Sequence, residues 1–187
     1  MHRRHVVILP LCIAVGWPAR AAAASDDERI TPGVRIGSFA LTMSVEEMEQ
    51  SHGPLRAIGP PEGQPQFLAA RLQQDQAREF WIHRWDHLGV RASTEHKSGG
   101  QVLTINAASA VAAALKFRTV EGITNGASRE EVTRVYGRPT AITIASEARV
   151  HLIFDEAGIA FRIHAIPDKV ENILVFLPGT GRARWKF

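Results

Sequence analysis

The residues best equipped for chemistry lie in one run, Trp81, His83, Arg84, Trp85, Asp86 and His87, with Phe80 and Ile82 among them. Two histidines four apart suit a metal when both project from one helix, and a histidine beside an aspartate suits proton transfer. Tryptophan and arginine are also the side chains that most often anchor a protein interface. The run alternates like a strand, so Trp81, His83 and Trp85 share one face while Phe80, Ile82 and Arg84 share the other. A strand that turns at Asp86 keeps His83 and His87 from converging, so no metal is expected there. Two readings of the aromatic face stand. Trp81 and Trp85 are core residues, or they flank His83 on an exposed sheet face as binding anchors.

Other chemistry-bearing residues have plainer explanations. The carboxylate pairs Glu46/Glu47 and Glu130/Glu131 fall in the first turns of two helices, where negative charge meets the positive end of the helix dipole. His52, His96, His151 and His164 show no ligand spacing. The chain has no Gly-x-Ser-x-Gly elbow, phosphate-binding loop, dinucleotide glycine fingerprint or His-Glu-x-x-His helix. No catalytic residue, metal or cofactor is therefore assigned, and the sequence leans away from an enzyme. The tail 179–187, with Arg182, Arg184, Trp185 and Phe187, either folds back on a sheet or offers a handle to a partner.

The elements that must position these groups come in duplicate. Ser128 and Glu131 form a capping box, in which each side chain satisfies the other residue's free backbone N–H. Val132, Val135 and Tyr136 make an apolar stripe, and Gly137 ends the helix before Pro139. The same frame stands earlier as Ser44, Glu47, His52, Gly53 and Pro54, with His52 in the place of Tyr136. The glycine pair Gly33/Gly37 lines up with Gly122/Gly126. After each helix, strands are expected at 67–72, 80–85, 90–93 and 101–106, and again at 140–145, 150–154, 159–163 and 172–177. The hairpin turns Asp86 to Gly89 and Asp155 to Gly158 match, as Asp-x-x-Gly turn chemistry. In the second copy Val150, Leu152 and Phe154 stand where the first has Trp81, His83 and Trp85.

A segment seen twice at this length is a duplication, not a solenoid. The expected fold class is α+β: two tandem repeats, each a short capped helix packed on a 3–4-stranded antiparallel sheet. The expected boundaries are a signal peptide at 1–24, a first repeat at 25–107, an apolar connector at 108–118, a second repeat at 119–178 and the basic-aromatic tail at 179–187.

Residues 1–24 carry Arg3 and Arg4, an apolar run over 6–15 and an alanine-rich end, the pattern of a secretory signal cleaved near Ala24. The run is too short for a membrane span, and no integral membrane segment is expected. Periplasmic or secreted localisation follows. Losing Arg3, Arg4 and Arg20 brings the 22 basic residues level with the 19 acidic ones, so nucleic acid is not an expected partner. The one cysteine, Cys12, lies inside the signal, which leaves the rest of the chain to its core alone.

The order of glycines, Ser-x-x-Glu helix, Gly-x-Pro and hairpin with Asp-x-x-Gly resembles an exported module found in the β-lactamase inhibitory protein and in the small lipoprotein of the outer-membrane barrel-assembly machinery. The resemblance is best over 31–54 and 119–178. It implies a helix on one side of a sheet and a concave sheet face that binds another protein. The sequence thus favours a non-catalytic module that binds another envelope protein through a sheet face, with Trp81, His83, Arg84, Trp85 and Trp185 as binding residues. The alternative is a small-ligand-binding protein or hydrolase with a pocket between the two repeats, using His83, Arg84, Asp86 and His87.

Overall fold

The computed structural model describes residues 26–53, 56–58, 81–96, 99–108 and 112–181. The signal segment, the strand expected at 67–72 and Trp185 lie outside the described residues.

Among the described residues, twelve strands and two α-helices make the structure mostly β, which corrects the expected α+β class. The strands are β1 (Arg29–Thr31), β2 (Arg35–Ile36), β3 (Phe39–Ala40), β4 (Arg56–Ile58), β5 (Trp81–Trp85) and β6 (Val90–His96). They continue with β7 (Gly99–Ala108), β8 (Arg118–Thr119), β9 (Ala141–Ser146), β10 (Arg149–Phe154), β11 (Ile159–His164) and β12 (Lys169–Phe176). The helices, α1 (Val45–His52) and α2 (Arg129–Tyr136), have eight residues each.

The two separate sheets expected, one under each helix, are instead one eight-stranded antiparallel sheet in the order β4-β5-β6-β7-β12-β11-β10-β9. The physical reason is the β7–β12 ladder, which runs from Asn172 opposite Ala108 to Phe176 opposite Thr104. Joining them removes two edges that would otherwise leave a row of backbone N–H and C=O groups unpaired. A second sheet, β3-β2-β1-β8, forms because β1 pairs in parallel with β8, Ile30 opposite Thr119. That pairing ties the start of the chain to the stretch after β7.

Both helices start as their residues dictate. Ser44 N–H donates to Glu47 Oε2 at 2.7 Å while Glu47 N–H donates to Ser44 Oγ at 3.2 Å, and Ser128 and Glu131 repeat the pair at the same distances. Gly53 and Gly137 end the helices with φ of 88° and 75°. Each helix has little to bury: α1 buries Val45 and Met48, and α2 buries Val132. Their last residues reach the sheet. His52 stacks on Phe39 at 3.9 Å, and Tyr136 meets Phe154 and Phe161 at 5.3 and 5.2 Å.

The main core lies between this helical layer and the sheet. One row of it runs across the strands as Trp85, Val90, Ala107, Ile173, Phe161 and Leu152, each directly opposite the next. These residues interlock with Ile30, Ile36, Phe39, Met48 and Val132. The stretch expected as an apolar connector begins as strand, since β7 runs to Ala108, and continues as a tight turn at Ala112–Lys116. Its Ala114 and Phe117 are buried in the same core.

Candidate functional site

Strand β5 alternates as expected, and the burial fixes which face is which. Trp85 is 1% exposed and His83 3%, so this face is the core side. Of the two readings of this face, core and exposed anchor, Trp85 and His83 follow the first. Trp85 meets Phe39 edge-on at 4.9 Å, and Trp81 is half-buried. The reason is in the neighbouring strand: Val90 and Ala92 lie opposite Trp85 and His83 and are fully buried, so their side of the sheet has to point inward. His83 Nε2 lies 2.9 Å from Thr94 Oγ1, and Nδ1 has no hydrogen-bond partner among the described residues. Burial lowers the pKa of His83, with Glu49 and Glu46 opposing, which keeps the ring neutral.

Arg84 and Ile82 point to the other face. Arg84 Nη2 pairs with Asp86 Oδ1 at 2.7 Å, and Nε donates to the same oxygen at 2.9 Å. His83 thus turns away from Arg84 and Asp86, and the polar groups proposed for a catalytic or ligand pocket do not converge. A shallow depression beside the start of α1 is lined by Leu41, Met43, Ser44, Val102 and Leu177, with none of those groups. Among the described residues, no cluster of three or more His, Cys, Asp or Glu could hold a metal.

The face opposite the helices carries an arginine group of which the sequence reading named only Arg84. Arg84 lies opposite Arg91, and Arg91 opposite Asn106. Arg162, between the core residues Phe161 and Ile163, points the same way, as does Arg149. Glu171 binds two of them, Arg149 Nε at 2.8 Å and Arg162 Nε at 3.5 Å. Arg91 has no hydrogen bond or ion pair among the described residues, and the nearby Asp86 is already held by Arg84. Burial lowers the pKa of Arg91, with Arg84 adding to the effect and Asp86 opposing it. Burial also lowers that of Arg162; Glu171 opposes, and Arg149 and Arg91 push the same way as burial. These cations repel one another across the sheet. The signal that could have found them is a lone arginine inside an apolar alternation, as in Val90-Arg91-Ala92 and Phe161-Arg162-Ile163.

At one end of this face Gly181 lies against the Phe176 ring. Asp155 Oδ1 accepts from Gly181 N–H at 2.7 Å, its carbonyl accepts from Gly158 and Gly179 N–H, and it is buried. The second Asp-x-x-Gly turn thus also clamps the chain after β12, whereas Asp86 serves Arg84. His151, buried on the same face, has its pKa lowered to about 4 by burial and by Arg162.

No family model matches this chain, and neither a curated protein nor a solved structure does. Among the described residues no helix is long and apolar enough to cross a membrane.

Proposed function

We propose that this chain is an exported, non-catalytic protein-binding module of the bacterial cell envelope, and that it binds through the face of the eight-stranded sheet opposite its helices. The observation that carries this reading is the arginine group on that face. Among the described residues, Arg84, Arg91, Arg149 and Arg162 meet two acids there, Asp86 and Glu171, and Arg91 is left without an ion pair. A half-buried guanidinium with no counter-charge gains from an incoming carboxylate, which it can meet with two parallel hydrogen bonds. Ile82, 45% exposed beside Arg84, adds apolar contact. A partner that presents acidic side chains suits this face. The export signal read from residues 1–24 and the resemblance to exported binding modules supply the compartment.

Site-specific photo-cross-linking tests the reading. A cross-linking residue is placed at position 82 or 91 on the open face, or at position 120 on an exposed turn. Capture of one discrete envelope protein from 82 and 91, and not from 120, is the expected pattern. Equal capture from all three, or from 120 alone, would sink it.

A further inference from the structure

We infer that two copies of this chain join edge to edge through β9, antiparallel about Thr143, to form a two-fold dimer. Among the described residues β9 pairs only with β10 and ends the large sheet. Such an edge presents backbone groups ready to pair with another strand, and proteins that stay monomeric block it with charge, proline or a bulge. Residues 141–146 contain no charged residue and no proline. The irregularity in the β9–β10 ladder is one extra residue on β9, Ala145; it falls after the exposed isoleucines, and Ala141 to Ile144 stay in regular register.

The side chains on this edge are those of an interior. Ile142 lies opposite Leu152 and Ile144 opposite Val150, so both belong to the helix-side face of the sheet. Exposure jumps from 1% at Leu152 to 59% at Ile142, and Ile144 is 70% exposed. The row of core residues therefore continues, still apolar, one strand past the end of its cover.

What specifies a second copy is the order of residues. Ala141-Ile142-Thr143-Ile144-Ala145 reads the same in both directions. Antiparallel pairing centred on Thr143 sets Ile142 against Ile144 of the second copy and each alanine against an alanine. An isologous interface must be complementary to itself in this way; centring on Ile142 or Ile144 instead pairs that isoleucine with its own copy and leaves the other against Thr140 or Ser146. In the symmetric register four isoleucines meet between Leu152 and Val150 of both copies. Directly opposed residues add cross-strand packing to the new backbone hydrogen bonds.

The test uses the full chain with Cys12→Ser, so that an introduced cysteine is the one thiol present. Sedimentation should give twice the monomer mass at high concentration and dissociation on dilution. Directly opposed Cα atoms lie about 4.5–5.5 Å apart, within disulfide reach. Thr143→Cys should then cross-link to itself on mild oxidation, while Ile142→Cys should cross-link in a mixture with Ile144→Cys and not alone. Ile144→Lys alters an exposed residue; it should keep the fold by circular dichroism and sediment as a monomer. A wild-type chain that stays monomeric at every concentration overturns the inference. So does a dimer that survives Ile144→Lys, or one whose cysteines link in another register.

Discussion

At the residue scale, the surrounding sheet decides what each side chain does. Trp85 has the composition of an interface anchor and the burial of a core residue. Trp85→Ala should accordingly cost about 3–5 kcal/mol, the range for removing a large aromatic from a core. Urea unfolding checks this, and an unchanged midpoint would show the ring to be dispensable to the core. His151 gives a second expectation. Its folded pKa of about 4 lies below the ordinary 6.5, so the unfolded chain takes up a proton first as pH falls. Stability is full above 6.5 and declines toward 4, with a slope of at most about 1.4 kcal/mol per pH unit for one group. His52 and His83, both lowered first by burial, act in the same direction. Thermal melts of wild type and His151→Gln at steps between these pH values should show a shallower decline in the variant. Parallel declines would mean that His151 is protonated in the fold as easily as out of it.

Elements were legible where their causes are local. Capping boxes and glycine ends lie within a few residues of one another, so Ser44, Glu47, Ser128 and Glu131 could be read as helix starts directly. Alternation likewise identified most strands, and it correctly put Trp81, His83 and Trp85 on one face. It could not say which face is inward, because that depends on Val90 and Ala92 in the next strand. The counterparts Val150, Leu152 and Phe154 in the second copy point to the core, the reading that Trp85 follows. The fold class failed for a related reason. Two antiparallel four-strand runs read as two sheets until β7 and β12, far apart in sequence, pair with each other. The hairpin glycine Gly158 was read as turn chemistry, and the structure adds a second demand on it. A Cβ there would collide with Phe176 O and the Gly33 backbone, at a φ of 68°. Gly137, at a φ of 75°, has open space around it. Gly137→Ala should cost about 1–3 kcal/mol, for a positive-φ, extended-ψ conformation (ψ −147°) that essentially only glycine adopts. Gly158→Ala should cost several times more, read as the difference in unfolding midpoints. Equal losses would mean that the Gly33–Gly158 approach relaxes freely.

At the scale of the whole molecule, one sheet separates two environments. Its helix side is an apolar core that runs from Trp85 to Leu152 without a break. Its other side buries a smaller apolar cluster, Ile153, Ala160, Leu174 and Phe176, and gathers arginines whose mutual repulsion is only partly neutralised by Asp86 and Glu171. None of this face was nominated from the sequence except Arg84, since lone arginines in different strands show no common spacing until the sheet brings them together. The central claim is that this face binds an acidic partner, and charge reversal tests it most directly. The affinity of the cross-linked partner is measured for wild type, Arg91→Glu and a control, Val120→Glu, each verified as folded. Arg91→Glu is expected to weaken binding at least tenfold, about 1.4 kcal/mol, and to flatten its salt dependence, while Val120→Glu leaves both unchanged. Undiminished affinity in folded Arg91→Glu would contradict the account and move the binding surface elsewhere.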